Sequence, residues 1–138
     1  MNIFCLKVLT VASLAVLLSI SSALADRFEC YPSSQTGGGD TRRIVINIEF
    51  SRRTGEVSDF SVVHQLGSGG ARDRTVQYDG FDWEGTREIT WTGRRVNDNG
   101  DTVRAEGTFN YRTRNYTEVL TVRGKGVVAR IRSTCNRF

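Results

Sequence analysis

The segment that decides the fold is 101-DTVRAEGTFNYRTRNYTEVLTVRGKGVVARIRSTC-135, in which apolar and polar residues alternate along three runs. The inward-facing set of the first run is Val103, Ala105, Gly107, Phe109 and Tyr111. The same period of two returns through Tyr116, Glu118, Leu120 and Val122, and again through Val127, Ala129, Ile131, Ser133 and Cys135. This period is typical of strands that are covered on one face and wet on the other. The short breaks between the runs predict an antiparallel meander.

Five earlier segments carry the same alternation: 27–31, 44–51, 56–66, 74–83 and 87–95. Pro32 is expected to end the first of them, because proline lacks a backbone donor. Asp79-Gly80 is expected to interrupt the fourth, as a bulge or as a tight hairpin. Asn97-Asp98-Asn99-Gly100 predicts a hairpin turn, since Asn-Gly tolerates positive φ at both central positions. The count predicts an all-β domain of about eight strands without helices.

Residues 1–25 have the pattern of a signal peptide. Lys7 precedes the apolar run 8–20, and Ala23-Leu24-Ala25 fits the small-residue cleavage site. Cleavage is expected between Ala25 and Asp26, and an uncleaved anchor is disfavoured because the apolar run is short for a membrane span. We therefore expect one exported domain, 26–138, periplasmic or secreted and without a membrane span.

The cysteines predict a disulfide. Cys5 lies in the expected leader, which leaves Cys30 and Cys135. In an oxidising compartment such a pair indicates a bond, which would close nearly the whole domain. Bonded Cα atoms lie within about 7 Å of each other, so the first and last strands would be neighbours. This favours a small up-and-down β-barrel, with a two-sheet β-sandwich as the alternative. Two cysteines without a C-x-x-C pair make no zinc site, so no metal or cofactor is expected.

Charge and composition indicate an anionic partner only weakly. The chain has a formal net charge of +4, and of its 19 lysines and arginines only Lys7 and Lys125 are lysine. Arginine binds phosphate and carboxylate in a bidentate way. The alternative is that a GC-rich genome favours arginine codons. Acidic residues are interspersed among the basic ones, which argues against a dedicated anion-binding surface and favours this alternative. Nucleic acid is not an expected partner, because the chain is exported and lacks interleaved stacking residues.

Two surfaces are candidate binding sites. Arginines project from the meander on the face opposite the core, and Arg112 and Arg114 lie at its turn. The candidates on that face are Arg104, Arg123, Arg130 and Arg132. They predict a basic patch for lipopolysaccharide, an acidic glycan or an acidic protein. The second candidate is an aromatic surface or cavity lining formed by Tyr78, Trp83 and Trp91. The alternative is that these rings only pack the core opposite small residues.

Catalysis is not expected. His64 is the sole histidine, and on the assigned strand it shares a face with Phe60, Val62 and Leu66. A general base needs a partner that orients its ring, but Asp59 falls on the opposite face. No G-x-S-x-G turn is present.

The layout resembles the small periplasmic inhibitors of c-type lysozyme, which are disulfide-tied antiparallel barrels. Those inhibitors insert a Ser-Gly-x-x-Tyr loop into the lysozyme cleft. Here Ser68-Gly69-Gly70-Ala71 is followed by Arg72 in place of the tyrosine. The resemblance implies that the loop Ser68, Gly69 and Gly70 would contact a hydrolase. The expected function is a non-enzymatic binding module, with inhibition of a cell-wall hydrolase as one alternative and a small enzyme or a structural envelope protein as others.

Overall fold

The computed structural model describes residues 24–36, 41–67, 74–97 and 99–138. The expected leader lies outside these ranges except for Leu24 and Ala25, which belong to the first strand. The predicted loop of Ser68, Gly69 and Gly70 also lies outside them. In the described part of the chain no helix is long and apolar enough to cross a membrane.

Nine strands form one antiparallel sheet. They are β1 (Leu24–Thr36), β2 (Thr41–Phe50), β3 (Val57–Leu66), β4 (Arg74–Val76), β5 (Asp79–Glu84), β6 (Glu88–Val96), β7 (Thr102–Asn110), β8 (Asn115–Val122) and β9 (Gly126–Arg137). Their order across the sheet is β4-β3-β2-β1-β9-β8-β7-β6-β5. Sequence neighbours are therefore sheet neighbours, except that β1 pairs with β9 and the ring is interrupted between β4 and β5.

The sheet curls until its two ends approach each other. The ring of Phe60 in β3 lies 5.7 Å from the ring of Phe81 in β5, although β3 is next to one end of the order and β5 is at the other end. The all-β, barrel-type prediction is confirmed in the form of this curled half-barrel. The sandwich alternative is not observed, because all nine strands belong to one sheet.

The disulfide between Cys30 and Cys135 is confirmed. The two residues are direct partners on β1 and β9, with Cα atoms 4.1 Å apart and a sequence separation of 105. Both side chains are buried. The bond therefore joins the first and last strands at the middle of the sheet, as the sequence predicted. It is compatible with an oxidising compartment.

Local details differ from the sequence-based expectation in three places. Pro32 does not end β1, because a register shift between Pro32 and Ser34 makes a bulge that accommodates the missing donor. The chain breaks at residues 77–78 rather than at Asp79-Gly80, which lies in β5 next to a register shift. The hairpin predicted at Asn97-Asp98-Asn99-Gly100 is confirmed, because β6 and β7 pair as antiparallel neighbours, but Gly100 has positive φ and Asn99 does not.

The interior of the half-barrel is filled by side chains from alternate positions. The largest fully buried ones include Trp91, Tyr116, Phe28, Phe60 and Phe109. Gly107 leaves room for the Trp91 ring, since a Cβ atom at Gly107 would lie 2.2 Å from Trp91 Nε1. Large rings opposite small residues thus pack the core.

Candidate functional site

Four arginines surround a depression at one end of the half-barrel. Arg87 follows β5, Arg112 and Arg114 lie between β7 and β8, and Arg137 ends β9. These positions meet because antiparallel neighbours alternate in direction. The depression has a volume of about 510 Å³. Its other lining residues are Phe28 and Tyr111. We call these six residues the arginine mouth.

Backbone hydrogen bonds fix the loops that carry these arginines. The N–H of Tyr111 donates to the carbonyl of Arg87 at 2.7 Å, which ties two loops together. The carbonyl of Arg114 accepts from the N–H of Cys135 at 2.8 Å. This second bond connects the β7–β8 turn to the disulfide-bonded residue of β9. The guanidinium groups are therefore presented from an anchored frame, which reduces the ordering cost of binding.

The β7–β8 turn is also held from within. The side-chain oxygen of Asn110 accepts hydrogen bonds from the N–H groups of Arg112 at 3.0 Å and Thr113 at 2.9 Å. This is the local pattern by which Asn caps a turn with its own side chain. The Arg114 N–H donates to the backbone carbonyl of Asn110 at 2.7 Å. Asn110 thereby sets the direction in which the chain leaves β7.

Arg114 has an unusual backbone conformation. Its φ is +61°, and no other described non-glycine residue has positive φ. Glycine, asparagine and aspartate occupy this left-handed region more readily than a long side chain does. The cost is of the order of 1 kcal/mol. An arginine at such a position suggests that its side chain is used, because glycine would satisfy the turn better.

The charges of the arginine mouth are only partly neutralised. Arg137 forms a salt bridge with Asp26, which also accepts a hydrogen bond from the Tyr111 hydroxyl. Partial burial, and then the neighbouring Asp26, raises the pKa of Tyr111. Arg87, Arg112 and Arg114 form no salt bridge with any residue that the structure describes. Within the described part of the chain, these three guanidinium groups therefore have no carboxylate partner and can bind an anion.

The predicted basic patch is divided in the structure. Arg104 and Arg123 line a separate depression of about 570 Å³ together with Arg94, and Arg104 pairs with Glu106 at 3.0 Å. Arg130 and Arg132 lie on β9, opposite Val119 and Thr117 of β8. Because β8 separates β9 from β7, the sheet does not bring these two arginines next to Arg104. The turn residues Arg112 and Arg114 lie at the arginine mouth instead.

The predicted aromatic residues have three different environments. Trp91 is only 2% exposed and packs inside the sheet over Gly107. Tyr78 is buried and its hydroxyl donates to Glu118. Trp83 is half-buried at the interruption between β3 and β5, where it contacts Phe81. Of the three, only Trp83 combines contact with the core and partial exposure.

A buried polar cluster is the feature that sequence reasoning missed. His64 and Glu118 are 0% and 1% exposed, and His64 Nε2 lies 2.7 Å from Glu118 Oε2. The hydroxyl of Tyr116 donates to the same oxygen at 2.8 Å, and the hydroxyl of Tyr78 donates to Oε1. The partner of His64 is thus Glu118, not Asp59. The sequence did contain an indication of this cluster, because Glu118 is a charged residue on the otherwise apolar inner face between Tyr116 and Leu120.

The cluster keeps Glu118 ionised. Burial alone would raise the pKa of Glu118, but His64 and the hydrogen bonds from His64, Tyr78 and Tyr116 together hold that pKa below its ordinary value. Burial, and then the charge of Glu118, raises the pKa of both tyrosines far above the usual range. Both phenols therefore stay protonated and donate. With all four side chains enclosed, the cluster joins β3, β8 and residue 78 rather than facing an external molecule.

No group of three or more His, Cys, Asp or Glu residues in the described ranges is arranged to hold a metal ion.

Compared with known proteins, the chain matches no family model, no curated protein and no solved structure.

Proposed function

We propose that the protein is an exported, non-enzymatic binding module that holds the anionic group of an envelope component, lipopolysaccharide or an acidic glycan, at the arginine mouth. The observation that carries this proposal is a set of three arginines around one depression, Arg87, Arg112 and Arg114, that have no ion-pair partner among the residues that the structure describes.

The chemistry of guanidinium groups supports an oxyanion as the ligand. Arginine presents a planar fork of donors that matches phosphate and carboxylate oxygens. A hydrogen bond to a charged group contributes about 1.5–3 kcal/mol, so each arginine that contacts the anion is worth roughly tenfold or more in affinity. Arg137 adds a fourth guanidinium that Asp26 already orients.

The lining of the depression favours a ligand with an apolar or ring-shaped part beside its charge. Tyr111 lies partly exposed between the arginines, and its ring packs at 81° against the buried Phe28 and against Phe50. Such a surface contacts the hydrophobic face of a sugar ring or the first carbons of an acyl chain. A small inorganic anion would use the charges alone and is expected to bind more weakly.

Calorimetric titration with purified lipopolysaccharide, polygalacturonate and neutral dextran tests the proposal. We expect lipopolysaccharide or polygalacturonate to bind at about 0.1 M salt and dextran not to bind. The variant Arg112→Ala/Arg114→Gly should weaken this binding at least about tenfold, since it removes two of the charged donors. Glycine at 114 keeps the positive φ of the turn.

The matched control is Arg130→Ala/Arg132→Ala, which makes the same change in net charge on the outer face of β9. It should leave the affinity within about twofold, because screening confines charge effects to a Debye length of about 10 Å at 0.1 M salt. An equal loss of affinity in both double variants would show that net charge alone causes the effect, and it would refute binding at the arginine mouth. Absence of binding by both polyanions would do so as well.

Inhibition of a cell-wall hydrolase stays a prediction from the resemblance, since the loop that would carry it lies outside the described residues. Unchanged lysis by lysozyme at micromolar excess of the protein would remove it.

A further inference from the structure

Two strand edges are left without partners where the ring of strands is interrupted. β4 has three residues and pairs only with His64, Gln65 and Leu66 of β3. In the described ranges, residues 57–63 of β3 therefore have no ladder on the side away from β2. β5 likewise has a ladder only with β6. We call these two edges and the depression between them the seam.

Unpaired edge groups are a template for another strand. Backbone N–H and C=O groups need hydrogen-bond partners, and natural edges are commonly blocked by lysine, proline or a bulge. β5 has such a bulge between Asp79 and Asp82. The β3 edge contains no lysine or proline, and its register with β2 shifts only at the start, between Val57 and Asp59, and is regular from Asp59 to Gln65. β3 is therefore the more receptive of the two edges.

The side chains of the seam provide apolar pockets beside this edge. A depression of about 400 Å³ lies between the strands and is lined in part by Val62, Val63, Phe81 and Trp83. The Phe60 ring lies 5.7 Å from Phe81 and 6.5 Å from Trp83, so the aromatic side chains of both edges meet there. An added strand would place every second side chain against this surface.

The charge of the seam identifies the complementary residues of the partner. Asp59, Asp79, Asp82 and Glu84 are exposed along the two edges, and neither edge carries a lysine or arginine. None of these four carboxylates forms a salt bridge within the described part of the chain. Two copies of this edge would bring like charges together, which disfavours self-pairing.

We propose that the seam binds an extended peptide segment in which apolar residues alternate with lysine or arginine, and that this segment adds to the β3 edge at residues 57–63. The segment closes the ring of strands that the protein leaves open. This site is separate from the arginine mouth and opposite to it in charge, so its test is independent of the proposed function.

The probe is a dye-labelled peptide of about eight alternating lysines and valines, the length of an ordinary strand. Fluorescence anisotropy measures its binding, and hydrogen exchange with mass spectrometry locates it. We expect slowed exchange at residues 57–63. A peptide with the same charge but with prolines in place of two valines should bind at least about tenfold more weakly, because proline cannot complete the ladder.

The chain offers a matched pair of variants. Asp59→Lys places a blocking lysine on the exposed β3 edge and should weaken the binding of the lysine–valine peptide at least about tenfold. Asp101→Lys makes the same charge change in the β6–β7 connection, where Asp101 pairs with Lys125 and does not line the seam, and it should alter binding less than about twofold. Urea unfolding of both variants separates a loss of binding from a loss of fold.

Three results would overturn the proposal. The first is equal binding of the proline-containing peptide, and the second is peptide protection at strands other than β3. The third is concentration-dependent protection of residues 57–63 without peptide, which would identify a second copy of the chain as the occupant.

Discussion

Replacement of Glu118 by glutamine tests whether the buried polar cluster stabilises the folded domain through its charge. Glutamine keeps the size of the side chain but replaces one acceptor oxygen by a donor. His64, Tyr78 and Tyr116 all direct donors at this carboxylate. Glu118→Gln therefore leaves at least one buried donor unpaired, together with the ring of His64 that the carboxylate faced.

The expected loss is large relative to the stability of a small domain. Three hydrogen bonds from buried donors converge on this charged acceptor, each worth about 1.5–3 kcal/mol, so we expect a net loss of about 3–5 kcal/mol against a total stability of roughly 5–15 kcal/mol. For a domain of this size, each kcal/mol corresponds to about 4 °C, so the melting temperature should fall by about 12–20 °C. Glu106→Gln is the control, because that side chain is 55% exposed and its pair with Arg104 is worth less than about 1 kcal/mol.

A compensated variant separates desolvation from simple loss of contacts. It replaces all four cluster residues by apolar ones, His64→Met, Tyr78→Phe, Tyr116→Phe and Glu118→Met, and adds Thr41→Val, because the buried Thr41 hydroxyl lies 3.4 Å from His64 Nδ1. Because no buried polar group of the cluster remains unpaired, this variant should recover at least about 2 kcal/mol relative to Glu118→Gln. Urea unfolding with the disulfide intact gives the free energies.

The pH dependence has a definite sign. Because the pKa of Glu118 is lower in the folded state than in the unfolded chain, the ionised carboxylate favours folding. Its contribution is complete above the unfolded pKa of about 4.3 and is lost as the pH falls through the folded pKa. Glu118→Gln should therefore flatten the acid limb of the stability curve. Two results would refute a stabilising role of the Glu118 charge. One is a decrease of less than about 1 kcal/mol in the unfolding free energy of Glu118→Gln at neutral pH, and the other is a compensated variant that is less stable than Glu118→Gln.

Three further predictions concern the disulfide, the core and the turn. Cys30→Ala/Cys135→Ala should lower the free energy of unfolding by up to about 4.7 kcal/mol, from the entropy of a loop of about a hundred residues, and a loss under about 1 kcal/mol in urea unfolding would contradict this. Gly107→Ala should destabilise by about 1–3 kcal/mol and change the fluorescence of Trp91, since the new methyl overlaps its ring. Arg114→Gly should leave stability within about 1 kcal/mol of the parent or raise it, because glycine relieves the positive φ; a larger loss in the same assay would show that the side chain supports the fold.

The half-barrel was largely predictable, whereas the sites were not. The period of two in residues 103–135 reports a local geometry, so it identifies β7, β8 and β9 without knowledge of their partners. Pro32 shows the limit of such rules, because a bulge accommodates it inside β1. Likewise, His64 and Glu118 could each be assigned to the inner face, but their contact depends on how far the sheet curls.

The sequence by itself determined the all-β class, the alternation of faces and the disulfide between Cys30 and Cys135, because side-chain periodicity and cysteine number are local or compositional properties. Only the tertiary structure decided that, among the described strands, the ring stays open beside β3, since a strand edge is unpaired only when a non-local partner is missing. It also decided that Arg87, Arg112, Arg114 and Arg137 meet at one depression. They come from three separate positions in the chain, and strand direction and pairing alone bring them together.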